Sequence, residues 1–247
     1  MTMALVFCTS VLAITKPQNS TNWAGLIAEP PSNSETFNSV SGRFTVPLPR
    51  APKGATSGAY KASVWVGIDG VAPKTTSILQ AGFDMELELQ SDGKLVHQNL
   101  TYNAWYEWFP AIAVNLPQSE FSMMAGDEIR VDISISSFSK GVVVLTNLHT
   151  SQVFSKTLNS PGKESDLKAV SVEWIMEDFT VGGKLVDLVN FGTINITNCR
   201  ASTDKTEVNL KNANIFTLIT SFSDSPKLLS DTKVLSDTAA QITYTGE

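Results

Sequence analysis

The sequence predicts an all-β protein, a single antiparallel sandwich of two sheets, on three observations. Apolar residues alternate with polar ones in run after run, helical spacing of apolar residues is almost absent, and tight-turn pairs such as Asp69-Gly70, Asp92-Gly93, Gly126-Asp127 and Gly182-Gly183 punctuate the runs. Many short strands of this kind fold as two packed sheets, because each strand carries an apolar face that must be covered. At 247 residues the chain can bury one sizeable core, and all-β chains of this length commonly form one domain.

In chain order, residues 1–15 read as a signal segment. Ala4 to Cys8 and Val11 to Ala13 form an apolar stretch ending in a small-residue cleavage site, which predicts a secreted protein, although a basic start is missing. That stretch is too short to span a bilayer, and no later segment approaches the ~20 apolar residues required, so no membrane association is expected once the leader is removed. Residues 16–247 form the predicted domain. Prolines 30, 31, 47, 49 and 52 surround a strand at 41–46 and mark it as an edge, since proline cannot donate to a ladder. Further strands are predicted at 62–68, 83–90, 101–109, 129–135, 141–147, 170–179, 186–197 and 215–221; in 129–135, Ile129, Val131, Ile133 and Ile135 interleave with Arg130, Asp132 and Ser134. The polar segment 223–238 is expected to be mobile, followed by a last strand at 241–244. In 102–109 both faces are aromatic, which predicts either burial on both sides or one core face and one face on a ligand cleft.

Composition excludes several functions. Lys and Arg number 18 against 24 Asp and Glu, a net charge of −6, and the sequence holds no basic cluster to neutralise phosphates, so nucleic acid is not an expected partner. His97 and His149 sit near turns, and with Cys8 and Cys199 they lack ligand spacing; no metal and no cofactor is expected. With the leader removed, Cys199 is alone. Charged residues make up 17%, so fewer paired carboxylates would be lost by protonation, which suits an acidic milieu. Asn19, Asn99 and Asn195 each begin an Asn-x-Ser/Thr triplet, a mark of exposed loops.

Two strand-like segments carry the candidate chemistry. Along 78–90, Gln80, Gly82, Asp84, Glu86 and Glu88 share one face, opposite Leu79, Ala81, Phe83, Met85, Leu87 and Leu89. Nearly a hundred residues later, Glu173, Ile175, Glu177 and Phe179 share a face. A carboxylate can activate water while a carboxamide donates to the developing oxyanion without titrating, so Glu177 and Gln80 together could hydrolyse a peptide bond. Spacing alone does not bring them together.

Four motifs in order, 65–70 (WVGIDG), 78–84 (ILQAGFD), 102–110 (YNAWYEWFP) and 173–179 (EWIMEDF), closely resemble the glutamic peptidases, or eqolisins, and Asn22-Trp23-Ala24-Gly25 is similar to the start of their mature domain. The resemblance runs from about Asn19 to the C-terminus. It implies a concanavalin-like sandwich of two seven-stranded sheets and a monomeric acid endopeptidase acting on polypeptides, with catalytic Gln80 and Glu177. It further implies that Trp23, Trp65, Asp69, Asp84, Trp105 and Glu107 contact substrate or orient the catalytic pair. The chain departs from the family pattern in having hardly any sequence between leader and Asn22 for a propeptide, no partner for Cys199, and Asn103 where Asp is common.

The alternative reading is a glycoside hydrolase or non-catalytic carbohydrate-binding module on a similar sandwich. Glu173 and Glu177 would then be the carboxylate pair, about 13 Å apart at Cα, but Gln80 would have no role.

Overall fold

The computed structural model describes residues 17–71, 74–91 and 96–246. The predicted signal segment, residues 1–15, and the predicted turn at Asp92-Gly93 lie outside the described residues. Two large sheets face each other. The first, here the cleft sheet, runs in the order Gln18–Ser20, Asn214–Leu218, Trp23–Ala28, Val172–Glu177, Gly58–Asp69, Ile78–Ser91, Val96–Phe109 and Val114–Asn115, with Asp187–Leu188 also paired to Gly58–Asp69. The second, the back sheet, runs Val153–Asn159, Lys140–Asn147, Glu128–Ser137, Phe37–Thr45, Thr193–Thr203, Ala239–Tyr244 and Ser230–Ser236, with Glu207–Val208 beside Thr193–Thr203. Pairing is antiparallel throughout both sheets except where Gln18–Ser20 meets Asn214–Leu218 and where Asp187–Leu188 meets Gly58–Asp69. The sandwich is therefore as expected, with nine and eight strands rather than seven and seven.

Alternation explains the core. Leu79, Ala81, Phe83, Met85, Leu87 and Leu89 point between the sheets, and Ile129, Val131 and Ile133 meet them from the other side. Burying each large side chain contributes roughly 1.5–3 kcal/mol. Polar heads on aromatic side chains tie the layers where backbone cannot. Trp174 Nε1 donates to the Ser41 carbonyl at 2.8 Å, Trp108 Nε1 to the Ser165 carbonyl at 3.0 Å, and the Tyr102 hydroxyl to the Pro47 carbonyl at 2.6 Å.

Two expectations fail for physical reasons. The strand at 41–46 is not an edge: it extends over Phe37–Thr45 and lies between Glu128–Ser137 and Thr193–Thr203, because Pro31 and Pro47 fall outside its ends and remove no ladder bond. The segment 223–238 is not wholly irregular either. Ser230–Ser236 pairs with Ala239–Tyr244 to form the margin of the back sheet, burying Ser230 and Thr232 despite its polar sequence.

Candidate active site

The cleft lies on the outer face of the first sheet, and three rows of side chains across five adjacent strands build it. Cross-strand register places Trp23, Glu177, Ser63, Asp84 and Asn103 in one row. The next row holds Gly25, Ile175, Trp65, Gly82 and Trp105, and the third holds Ile27, Glu173, Gly67, Gln80 and Glu107. Side chains two residues apart on a strand share a face, so the parity read from the sequence carries directly into these rows.

The middle row is the floor. Ile175, Trp65 and Trp105 form an apolar cluster with Ile27 and Ile78, separate from the main core. Gly82 lies between Trp65 and Trp105 because nothing larger fits: an added Cβ would stand 2.0 Å from the Val64 carbonyl oxygen and 2.7 Å from Trp65 Cβ. Gly25 has φ 144°, and a Cβ there would stand 2.1 Å from the Trp174 carbonyl oxygen. The aromatic face of 102–109 is thus resolved as a cleft wall, with Tyr102, Ala104, Tyr106 and Trp108 in the core and Trp105, Glu107 and Phe109 on the cleft side.

A cavity of about 690 Å³ opens over this floor, and six of the eight residues singled out from sequence line it: Trp23, Gln80, Asp84, Trp105, Glu107 and Glu177. Glu177 and Gln80 stand two strands and two rows apart, roughly 16 Å at Cα on an unbent sheet. The midpoint of that diagonal is Trp65. Both side chains line the same cavity.

Each polar head is held by a partner. Trp65 Nε1 donates to Glu177 Oε2 at 2.7 Å. Burial pushes the Glu177 carboxyl above its ordinary range, the Trp65 and Trp23 indoles and Asn22 oppose that rise, and the charge of Glu107 adds to it. Gln80 Nε2 donates to Glu107 Oε2 at 2.5 Å, which fixes the amide, while Gln80 Oε1 is buried without a partner. Burial raises the Glu107 carboxyl, and the Gln80 amide pulls it back. Trp105 Nε1 donates to Asp84 Oδ1 at 2.8 Å, yet burial still lifts Asp84 to about 6. Among the described residues, no Lys, Arg or His lines the cavity. Its carboxyl groups therefore tend toward the neutral form unless an indole or amide N–H stabilises the charge.

Trp65 and Asp69 do not line the cavity. Trp65 is fully buried beneath the cavity and connects to it through the hydrogen bond from its Nε1 to Glu177. Asp69 is also fully buried, at the end of its strand, and accepts the backbone N–H groups of Lys168, Ala169 and Val170 at 2.6, 2.8 and 2.9 Å. Asp69 thus ties a connecting loop to the sheet and stands outside the cavity lining. The carboxylate pair required by the glycosidase alternative is not formed. Glu173 is fully buried away from the cavity, with neither carboxylate oxygen bonded, and burial and the neighbouring Asp69 charge hold it well above the usual range. Sequence reasoning missed Ser63, Thr75, Thr76 and Asn115, which also line the cavity. Only Ser63 carried a signal, as a small residue sharing a face with Trp65.

Comparison with known proteins identifies the family and supports the fold. The profile of the Peptidase A4 family matches residues 21–244. Aspergillopepsin-2 of Aspergillus niger is 33% identical over 245 residues, covering 93% of this chain and 79% of that protein. Scytalidopepsin B of Scytalidium lignicola is 33% identical over 205 residues, covering 80% and 70%. The crystal structure of scytalido-glutamic peptidase with a peptide-based transition state analog superposes with a TM-score of 0.70 at 29% identity, covering 91% of this chain and 98% of that one. The chain belongs to the peptidase A4 family, the eqolisins, and is a glutamic-type peptidase.

Proposed function

We propose that the chain is a secreted endopeptidase that hydrolyses polypeptides in acid, with Glu177 as general base and acid and Gln80 as oxyanion donor. The observation that carries this reading is the single cavity lined by both residues, in which an indole N–H holds one and a carboxylate holds the other. Glu177, in its charged form, takes a proton from a water whose oxygen attacks the scissile carbonyl carbon. The carbonyl π electrons move onto oxygen, and that oxyanion accepts a hydrogen bond from the second N–H of Gln80 Nε2. As the C–N bond breaks, Glu177 returns the proton to the departing amine. No covalent enzyme intermediate forms. Trp65 keeps a fraction of Glu177 ionised in acid, and Glu107 aims the Gln80 amide. Trp23, Trp105 and Asp84 serve as walls for an extended peptide.

The test is cleavage of denatured casein at about pH 2 to 5 with pepstatin present. Activity that resists pepstatin, falls about 100- to 1,000-fold in Gln80→Ala and is lost in Glu177→Gln supports the assignment. Release of reducing sugar from a β-glucan, with casein untouched, overturns it.

A further inference from the structure

We propose that the outer face of the back sheet carries a second binding site, remote from the cleft, for a tetrahedral oxyanion such as sulfate or a sulfate or phosphate ester. Arg43, Arg130 and Arg200 come from three adjacent strands, Phe37–Thr45, Glu128–Ser137 and Thr193–Thr203, and converge on one depression of about 170 Å³ completed by Ser41, Gly42 and Asn198. Arg43 and Arg130 stand directly opposite each other in the ladder. Like charges at such a position disfavour pairing, a cost that Glu128 beside Arg43 and Asp132 beside Arg130 offset in part and a bound anion would offset further. The chain has only 18 basic residues and a net charge of −6, which makes three guanidinium groups around one hollow an unusual concentration.

A second, independent feature points to an occupant. Arg43 Nε is buried with no hydrogen-bond partner, and buried donors on charged groups are otherwise almost always satisfied. The hollow borders a break in pairing between Thr197 and Arg200, where Asn198 takes a left-handed conformation with φ 53°. A pocket this small takes one anionic group. Guanidinium forks converging from three sides suit a tetrahedral oxyanion.

Three carboxylates compete for the same arginines. Glu128 lies 3.5 Å from Arg43 Nη1, Glu207 lies 3.8 Å from Arg200 Nη1, and Asp132 grips Arg130 at 2.6 Å through Nη2 and 2.9 Å through Nε.

Thermal unfolding of the purified full chain tests the site, with sodium sulfate at about 10 mM compared against sodium chloride of equal ionic strength. The expected result is a sulfate-specific rise in Tm of about 3 °C that is absent in Arg43→Gln. Sulfate also stabilises proteins generally by exclusion from their surface, and that effect would survive in the variant. An equal shift in wild type and Arg43→Gln thus overturns the proposal, as does no shift in the wild-type chain. If Arg43→Gln does not fold, as judged by near-ultraviolet circular dichroism, Arg200→Gln on the more exposed rim carries the same expectation. Dextran sulfate distinguishes the sources. Per-sulfate affinity far above that of inorganic sulfate, lost with Arg43, identifies a sulfated polymer as the ligand, and equal affinity identifies a free ion.

Discussion

The two outer faces of the sandwich are built from the same alternating strands, yet they treat charge in opposite ways. On the cleft face, Asp84, Glu107 and Glu177 crowd around one cavity, and their partners are mainly indole and amide N–H groups rather than cations. On the back face, charged residues pair in the open: Lys233 meets Asp231 at 3.0 Å and Arg130 meets Asp132 at 2.6 Å. An exposed ion pair leaves each carboxylate solvated and contributes at most about 1 kcal/mol. In a partly dry cleft, burial raises the carboxyl group toward the working pH while a neutral donor keeps part of it ionised, which is what a proton shuttle requires.

The sharpest way to break this comparison is to neutralise one carboxylate on each face. Glu177→Gln should lower kcat/KM on casein by more than about 1,000-fold, equivalent to roughly 4 kcal/mol of barrier, whereas Asp231→Asn on the back face should change it less than about two-fold. Comparable losses in both variants would mean that the cleft is not special.

Stability should next separate the faces by its pH dependence. Asp84 rises to about 6 and Asp178 to about 7, chiefly through burial, and Glu173 lies higher than its ordinary range for the same reason. A carboxyl group raised on folding binds more protons in the native than in the unfolded state, so its stabilisation is complete below the unfolded value. It is lost as the pH climbs through the folded value. Urea unfolding should therefore show the protein most stable near about pH 4 and progressively weaker toward about pH 7, with Asp84 alone accounting for up to about 3 kcal/mol. Glu173→Gln should flatten that decline. A stability that rises from pH 4 to 7 would contradict the buried-carboxyl picture.

A smaller effect refines the role of the floor. Trp65→Phe keeps the ring but removes the N–H that favours charged Glu177. The carboxyl then rises further, so the acid limb of the kcat profile should move to higher pH, with about ten-fold loss at the former optimum. A uniform loss with no shift of the profile would assign Trp65 to packing alone.

Much of the cleft was legible in sequence because strand parity is local. That Gln80 shares a face with Asp84, or Glu173 with Glu177, follows from alternate residues pointing opposite ways. Asp69 shows the limit of that reasoning. Its motif suggested a cleft residue, but parity does not reveal that the loop from Lys168 to Val170 folds over it and supplies three N–H groups. Glu173 is a second case, sharing its face with Glu177 but covered by structure from elsewhere in the chain.

The all-β class, the inward and outward faces of most strands and, through four motifs, the family are readable from residues alone. These depend on backbone alternation and on residues close together along the chain. Folding in three dimensions alone sets a single strand between Val172–Glu177 and Ile78–Ser91, stands Trp65 between the two catalytic candidates, and brings three arginines scattered over more than 150 positions together on the back sheet. Strand order is set by non-local pairing and by which apolar faces pack together, and one strand's pattern of alternation does not specify its neighbour.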